Sequence, residues 1–452
     1  MTASQQYKKL VLIVLTWAVV VVGFLMLASW LIFRASGFAY DFQTGEIQRT
    51  GLIYVRTYPA TATVLLDSRI VSTITPARMS NLWPGKYNLQ IEKKGYKPIL
   101  KTLEVYEGLA TRVAPVLLFY QEPKLGVQYS SVLNEFVDKN NNLWTITNNN
   151  IGTFVNLYNQ NHERIFKSKK ITRDLKNFQI FGAINQDYLV LYTPKQQAVL
   201  LDFKNNSFYS ISDSFNHQAI NKLSIYQDNL LILTSSGLST FNPDNKVSRK
   251  IANNIIDFNL TSTYYALQFS SNKYRIIQIN PSSYQIRNII DQINITSPQK
   301  LFVSRDGQFA ILNKNQQLFV IENKKAKWLA NGVLGCEWSS SQEFLDFRDN
   351  YKLGYFTKKE IWVYRKDSKD VFDQLSEKTL VLKSKQSINK IGFYEINNYL
   401  YFTIKDQLII TDTLGTRASL KTLAPNDKFF FSGNFKSLYF LHNQIVQELT
   451  LR

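Results

Sequence analysis

An uninterrupted apolar segment near the N-terminus constrains this chain more than any other feature. Residues 10–33 are 24 consecutive residues without a charged side chain. An α-helix of that length extends about 36 Å, enough to cross the hydrocarbon core of a bilayer with some tilt. Trp30 and Phe33 fall near its far end, where aromatic side chains favour the membrane–water interface. We therefore expect a transmembrane helix, with the lipid bilayer as the first partner of the chain.

The length of this segment favours a permanent signal anchor over a cleaved signal peptide, whose apolar part is typically about 7–15 residues. Lys8 and Lys9 precede the span and Arg34 follows it. Positively charged residues favour the cytoplasmic side of a membrane. We therefore predict a plasma-membrane protein with a cytoplasmic tail over residues 1–9 and extracytoplasmic domains after the span.

The rest of the chain has the composition of a large folded exterior. It has 452 residues, of which 45% are hydrophobic and 14% aromatic, so a buried core is readily built. Cys336 is the single cysteine. An internal disulfide is therefore excluded, and a bacterial surface protein fits better than a disulfide-rich ectodomain.

The chain is strongly basic, with 53 Lys and Arg against 34 Asp and Glu and a net charge of +19. A basic face would meet anionic lipid, wall polymers or nucleic acid. A compositional preference for Lys and Asn explains the same charge, and the sequence leaves both explanations open. No specific nucleic-acid partner is expected. The basic residues fall into small separate groups, such as Lys167, Lys169 and Lys170, and Lys324, Lys325 and Lys327.

The first folded domain is expected after a stalk linker over residues 34–50, which shows no periodicity. Residues 51–120 contain short alternating segments separated by turns, including the Pro84-Gly85 turn. The segments are GLIYVRTYP, ATVLLD, YNLQIEKKGY, KPILKTLEVY and ATRVAPVLLFY. About five or six short strands in this span predict a small β-sandwich.

Turn and core residues of this domain follow a specific order and spacing. They are Gly51, Ile53, Val55, Pro59, Ala62, Val64, Leu66, Asp67, Thr75, Pro76, Leu82, Pro84, Gly85, Tyr87, Gly95 and Tyr96. This pattern resembles a PEGA domain, a small β-sandwich module of bacterial and archaeal envelope proteins. The chain departs from the family at residues 59–62, which read Pro-Ala-Thr-Ala, and at Ser68, where a turn glycine is usual. The resemblance implies an architecture and an envelope location, and no catalytic residue.

A second pattern runs through residues 125–452, where an apolar strand, a polar turn and another apolar strand recur. The eight repeats begin at Asn142, Tyr188, Asn229, Tyr264, Gln308, Phe344, Tyr399 and Leu438, with a mean spacing of about 42 residues. This period is typical of four-stranded propeller blades. We predict an all-β protein ending in a seven- or eight-bladed β-propeller. A closure blade shared by the two chain ends would make seven, and two stacked β-sandwiches are the alternative.

Two short motifs agree with the propeller. Residues 304–307 read Ser-Arg-Asp-Gly and resemble the Ser-Pro-Asp-Gly turn of TolB-type and related WD-like propellers. Residues 337–339 read Glu-Trp-Ser and resemble the tryptophan–serine lead-in of the same repeat. Each motif is short, so the regular period remains the stronger argument for the fold.

No catalytic or cofactor motif occurs in the sequence. His162, His217 and His442 are far apart and none has a metal-ligand partner at helical or hairpin spacing. Zinc-protease, P-loop, nucleophile-elbow and dinucleotide motifs are all missing from the sequence. We therefore assign no catalytic residue, no metal site and no cofactor.

Four weaker features each have a plain structural interpretation. Asp138 begins a sequence like a calcium loop, but position twelve is Asn149, so a polar turn is expected. Cys336 is expected to be a buried structural residue. Asp367 and Asp370 are most simply a solvated loop. Trp83 and the many other aromatic side chains serve either core packing or a glycan-binding surface.

The predicted architecture favours a non-catalytic function. We expect a membrane-anchored bacterial envelope protein whose propeller is a binding or scaffold module for an envelope protein or an anionic wall polymer. The alternative is an envelope polysaccharide hydrolase or lyase, which requires carboxylates that converge in a cleft. A sensor that signals through the helix is a third hypothesis, and the short tail over residues 1–9 argues against it.

Overall fold

The computed structural model divides into two compact units, Met1–Gln121 and Glu122–Arg452. The residues that it describes are 3–40, 45–138, 140–172, 174–175, 177–193, 197–280, 282–339, 351–365, 377–394, 399–405, 407–412, 417–422, 428–432 and 436–451.

The first unit begins with one long helix, α1, over Ala3–Ala35. Its segment Val14–Arg34 is long and apolar enough to cross a membrane, and none of it is buried inside the protein. A short antiparallel hairpin follows, with strands β1 over Phe38–Tyr40 and β2 over Ile47–Arg49. The sequence predicted a stalk linker without periodicity over residues 34–50, so this hairpin was not predicted.

Two sheets then form a small β-sandwich. Its strands are β3 Gly51–Tyr58, β4 Thr63–Leu66, β5 Arg69–Ser72, β6 Ala77–Leu82, β7 Gly85–Glu92, β8 Ile99–Val105 and β9 Ala110–Leu117. One sheet has the order β6-β3-β9, with β3 and β9 parallel, and the other has the order β5-β4-β7-β8. Alternating side chains of both sheets, such as Ile53, Val55, Val64 and Ile91, are fully buried in one core. The predicted sandwich is confirmed, with β5 and β6 as additional short strands.

The second unit consists of four-stranded antiparallel sheets. Blades 1 to 3 are formed, in chain order, by β11 Val132–Val137, β12 Leu143–Asn149, β13 Gly152–Tyr158 and β14 Arg164–Lys167; by β15 Gln179–Ile184, β16 Tyr188–Tyr192, β17 Ala198–Asp202 and β18 Ser207–Ser210; and by β19 Lys222–Tyr226, β20 Asn229–Thr234, β21 Gly237–Asn242 and β22 Val247–Ala252. Blades 4 and 5 are formed by β23 Ile255–Leu260, β24 Tyr264–Ser270, β25 Lys273–Ile279 and β26 Ile286–Ile293, and by β27 Pro298–Val303, β28 Phe309–Asn313, β29 Leu318–Glu322 and β30 Lys325–Ala330. Blades 6 and 7 are formed by β31 Val333–Trp338, β32 Lys352–Thr357, β33 Glu360–Arg365 and β34 Lys378–Lys383, and by β35 Ile388–Phe393, β36 Tyr399–Ile404, β37 Gln407–Asp412 and β38 Arg417–Thr422. A short 3-10 helix, Ile211–Phe215, follows blade 2.

The eighth sheet joins the two ends of this unit. Strands β39 Lys428–Phe431, β40 Ser437–His442 and β41 Ile445–Thr450 come from the C-terminal end, and β10 Lys124–Tyr129 from the start of the unit is added beside β41. We call this the closure sheet. It is shared between the two chain ends, as one sequence-based alternative supposed, but the described residues form eight sheets and not seven.

The hydrophobic cores show that the sheets pack as a ring. Each core cluster joins two consecutive sheets, as where Trp144 and Ile146 of blade 1 pack with Leu189 and Leu191 of blade 2. Val132 of blade 1 packs with residues of the closure sheet, which completes the ring. Stacking of neighbouring sheets buries faces that one sheet alone would expose. The predicted β-propeller is confirmed, and two stacked sandwiches do not account for this packing.

The two propeller motifs found in the sequence have structural roles. The turn between β27 and β28 is held by Ser304, whose hydroxyl bonds to Asp306 and accepts a bond from the Gln308 backbone N–H at 2.8 Å. Gly307 in this turn has a φ of +83°, which favours glycine. Trp338 is buried, and its indole N–H donates to the backbone carbonyl of Phe302 in blade 5 at 3.3 Å.

Candidate functional site

The first strands of the sheets form the inner wall of the ring. Strand β11 contacts β15, β23 contacts β27, β27 contacts β31, β31 contacts β35, and β39 contacts β11. Successive side chains of a strand point to opposite faces. Those of the first strands that are not buried between blades therefore line the central channel.

A β-bulge recurs in these inner strands. The register between first and second strands shifts near the start of β11, β15, β23, β27, β31 and β35. Such bulges bend a strand and redirect its side chains. The residues that directly follow the shift are Asn134, Gly182, Asp257, Lys300, Gly335 and Lys390. Charged side chains thus occupy equivalent positions on blades 4, 5 and 7.

Asp257 uses its charge to join three blades. Its Oδ1 lies 2.8 Å from Nζ of Lys222 on blade 3. The same oxygen accepts the backbone N–H of the next residue, Phe258, at 2.9 Å. Its Oδ2 accepts the backbone N–H of Leu301 on blade 5 at 2.8 Å. The carboxylate is buried and both oxygens are occupied, so its role is structural.

A second charged group lies on blades 6 and 7 and the closure sheet. Lys390 of β35 places its Nζ 4.7 Å from the ring centroid of Phe429 and 6.0 Å from that of Tyr401. The rings of Tyr401 and Phe429 meet edge to face at 6.1 Å, and Phe431 packs on Tyr401 at 4.9 Å. Glu337 of β31 completes this set. We call Glu337, Lys390, Tyr401, Phe429 and Phe431 the channel-wall cluster.

A glycine makes room for the tyrosine of this cluster. A Cβ atom at Gly392 would lie 2.3 Å from Cζ of Tyr401, far inside the contact distance of real Cβ atoms. Gly392 is paired directly with Tyr401 across β35 and β36. The ring therefore lies over the glycine backbone, which places it beside Lys390.

The electrostatics of the cluster are unusual for an exposed site. Part of the Glu337 side chain is exposed in the channel wall. Nearby protein atoms nevertheless displace much of the water around its carboxyl, and this desolvation raises the pKa of the carboxyl to about 7. The positive charge of Lys390 and the backbone N–H of Phe393 oppose the rise. Burial lowers the pKa of Lys390, and Glu337 opposes that shift. Burial raises the pKa of Tyr401, with Glu337 adding to the effect.

The wall therefore offers positive charge and aromatic surface, with one carboxyl that is partly neutral at pH 7. Lys300 of blade 5 is also exposed on the inner strand next to blade 6. Among the described residues, no second carboxylate contributes to the pKa shift of Glu337. A lysine held over aromatic rings suits the binding of an anionic or planar group. Hydrolysis of a glycoside by paired carboxylates would need a second acid.

The three histidines lie at separate places in the second unit. His162, in the turn between β13 and β14, has Nε2 3.1 Å from Oε2 of Glu448 and Nδ1 3.1 Å from the Tyr129 hydroxyl. His217 lies 3.1 Å from Asp213 on an exposed surface. Nε2 of His442 lies 3.0 Å from the side-chain amide of Asn443, in the turn between β40 and β41. In the described part of the chain, no group of three or more His, Cys, Asp or Glu is arranged to hold a metal ion.

The Asp138 turn is closed by its own side chains. Oδ1 of Asp138 accepts the backbone N–H groups of Asn140 and Asn142, at 2.8 and 2.9 Å. Oδ2 accepts the Asn142 amide at 3.2 Å and the Trp144 indole N–H at 3.1 Å. The Asp138 side chain thus closes a polar turn over residues 138–144.

The structure describes two of the other features noted in the sequence, Cys336 and Trp83. Cys336 is buried in the core between blades 5 and 6, and burial raises the pKa of its thiol. Trp83 is half-buried, and its carbonyl accepts the Tyr87 hydroxyl at 2.9 Å. Asp367 and Asp370 lie outside the described residues.

The channel-wall cluster was not predicted from the sequence. Glu337 entered only as part of the Glu-Trp-Ser motif, and Lys390, Tyr401 and Phe429 were not singled out. The members lie on three sheets that pack side by side only in the closed ring. An alignment of the repeats by the bulge in their first strands places Asp257, Lys300 and Lys390 in one column. That alignment would have indicated which residues line the channel.

Comparison with known protein families identifies the domain ahead of the propeller. The PEGA domain family matches residues 50–117, so the chain carries a PEGA domain ahead of the propeller. No curated protein matches the sequence significantly. Among solved structures, the C-terminal WD40 domain of Sif2 is similar with a TM-score of 0.47 and 9% identity, covering 73% of this chain and 99% of that one.

Two further solved structures are similar at comparable levels. The computationally designed Ika8 protein has a TM-score of 0.44 and 8% identity, covering 71% of this chain and 96% of that one. PorZ of Porphyromonas gingivalis, described as an essential bacterial surface component of the type-IX secretion system, has a TM-score of 0.35 and 12% identity. That match covers 70% of this chain and 42% of PorZ.

Proposed function

We propose that this protein is a membrane-anchored, non-catalytic binding module of the bacterial cell envelope. In this proposal α1 is a permanent anchor, the PEGA domain is a spacer, and the propeller is an extracytoplasmic platform. The ligand is an anionic group carried by an envelope polymer or protein, bound at the channel-wall cluster.

The observation that carries this proposal is the composition of the channel wall. Lys390 lies over Phe429 and Tyr401, while Glu337 loses much of its negative charge because desolvation raises its pKa to about 7. A partly neutral carboxyl repels an anion less than an ionised one, so the site favours negative ligands. The described wall is basic and aromatic, which supports binding over glycoside cleavage.

Binding is tested with polygalacturonate, an anionic glycan, and the full chain in nanodiscs of zwitterionic lipid. We expect Lys390→Met to weaken binding by roughly tenfold, since a charge-assisted contact contributes about 1.5–3 kcal/mol. Lys250→Met is the matched control, because Lys250 is exposed on the outer strand β22, away from the channel. Equal affinities for the two variants would contradict binding at the wall.

The proposed topology is tested separately by protease treatment of intact and lysed cells. Lys8 and Lys9 against Arg34 support a cytoplasmic N-terminus. We expect protease to digest the propeller on intact cells once the outer layers are permeable to it. Digestion only after lysis would reverse the topology and leave a cytoplasmic scaffold.

A second candidate function, a polysaccharide hydrolase or lyase, is favoured by one observation. A carboxyl with a pKa of about 7, beside an amine and a phenol, suits general acid–base catalysis. The same polygalacturonate sample measures this, through new reducing ends or the absorbance of an unsaturated product. Product formation that is abolished in Glu337→Gln would replace the binding proposal with the enzymatic one.

A further inference from the structure

The hairpin β1–β2 follows the helix so closely that the helix limits how far the hairpin can lie from the bilayer. Helix α1 ends at Ala35 and β1 begins at Phe38. The backbone is continuous through this turn, with the Ser36 N–H bonded to the Ile32 carbonyl at 2.9 Å and the Gly37 N–H bonded to the Arg34 carbonyl at 3.1 Å. The hairpin therefore begins within one turn of the last residues of the apolar segment.

One face of the hairpin is directed toward the helix. The ring of Phe38 stacks on that of Phe33, in the last turns of α1, at 5.5 Å. Phe38 pairs across the hairpin with Arg49, whose guanidinium lies 4.8 Å from the Phe38 ring centroid. Because side chains alternate along a strand, Tyr40 lies on the same face as Phe38.

This face is exposed and apolar beyond Phe38. Tyr40 pairs directly with Ile47, and their exposed fractions are 47% and 58%. The opposite face carries Ala39 and Gln48, which are half-buried. An aromatic residue and an isoleucine on the side that faces a membrane span, bordered by arginine, have the composition of a membrane-interface contact.

The other side of the hairpin is fixed to the PEGA domain. The Thr50 backbone N–H and hydroxyl both donate to the Gly37 carbonyl, at 2.8 and 2.9 Å. The Gly108 N–H donates to the Thr50 carbonyl at 3.3 Å, and the Arg49 N–H donates to Glu107 at 3.4 Å. The hairpin is thus held between the helix end and the first sheet of the domain.

We propose that the face formed by Phe38, Tyr40, Ile47 and Arg49 lies in the headgroup layer of the bilayer that α1 spans. Tyr40 and Ile47 contact the acyl boundary, and Arg49 reaches lipid phosphate. The bilayer is the occupant that the connection favours, since five residues link the helix end to Tyr40 and reach at most about 18 Å. This inference rests on the proposed anchor.

The proposal is tested with the full chain in nanodiscs of equal parts phosphatidylcholine and phosphatidylglycerol. A polarity-sensitive fluorophore is attached at Ile47→Cys in a Cys336→Ser background. Gln48→Cys, on the opposite face of the same strand, is the matched control, and Val20→Cys in the middle of the span reports insertion of the helix.

We expect the Ile47 label to emit at shorter wavelength than the Gln48 label and to be quenched several-fold more by lipid with a spin label near the headgroup. Emission of both labels as in water, with the Val20 label quenched by a deep spin label, would overturn the hairpin proposal and leave the anchor intact. A Val20 label that is not quenched would instead overturn the anchor, and with it the proposal.

Discussion

Two carboxylates lie on the inner strands of the same ring, and their surroundings differ. Asp257 receives Lys222 of blade 3 and the backbone N–H of Leu301 of blade 5, so its charge joins three blades. Glu337 faces the channel, and desolvation raises the pKa of its carboxyl to about 7. A charge with a full set of donors serves the fold. A charge that the fold leaves poorly solvated is typical of a functional site.

The largest effect is expected for Asp257, whose carboxylate joins three blades. Asp257→Ala should lower the free energy of unfolding by about 3 kcal/mol, because Lys222 and two backbone N–H groups lose their buried acceptor. The thermal midpoint of the full chain in nanodiscs measures this. Glu337→Ala, which removes the other carboxylate, should cost much less, and equal losses would erase the distinction between the two sites.

A smaller effect is expected at the glycine beneath Tyr401. Gly392→Ala should destabilise the propeller by about 1–3 kcal/mol, since the added methyl group displaces the tyrosine ring. In Gly392→Ala/Tyr401→Leu the second change should cost less than it does alone, because it also removes the clash that the alanine creates. Strictly additive losses would show that the ring does not lie over this glycine.

The raised pKa of Glu337 makes its contribution to stability depend on pH. The pKa of Glu337 in the folded protein is raised above its ordinary value, so its protonated form favours the folded state. That contribution is complete below about pH 4.5 and is lost as the pH rises through 7. Glu337→Gln should therefore melt slightly higher than the natural protein at pH 8.5 and at the same temperature at pH 4.5. A lower melting temperature at pH 8.5 would show that the attraction of Lys390 for the ionised carboxylate outweighs desolvation.

The smallest effect is expected for an ion pair outside the channel. Lys204 and Asp187 are 2.8 Å apart in blade 2, and their side chains are 58% and 35% exposed. Lys204→Met should leave the melting temperature unchanged within error, because solvent screens exposed pairs. A loss comparable to that of Asp257→Ala would mean that burial and a full set of donors are not what make the charge of Asp257 stabilising.

The sequence predicted the parts of the fold that have strong periodic signals. Residues 10–33 and the repeat of about 42 residues identified the helix and the propeller, because apolar length and period each point to one architecture. Strand β5 was missed, since Ile70 and Val71 are both exposed and show no alternation. The hairpin β1–β2 was missed because three-residue strands are too short for a period.

The candidate site was beyond prediction for a different reason. Glu337, Lys390 and Phe429 belong to three sheets, and only closure of the ring brings them together. The bulge that precedes Lys390 also breaks the simple alternation by which an inward-facing residue is recognised. Local pattern identifies the blade, whereas the wall depends on how blades are arranged around the axis.

The closure sheet also determines how mechanical load would pass through the molecule. Strand β10 is the only covalent route from the helix and PEGA domain into the propeller, and it is held in the ring by its pairing with β41. Tension between an anchored helix and a ligand held by the blades would therefore act first on this one pair of strands. Its backbone bonds, together with the contact of Glu448 in β41 with His162 of blade 1, would resist the opening of the ring.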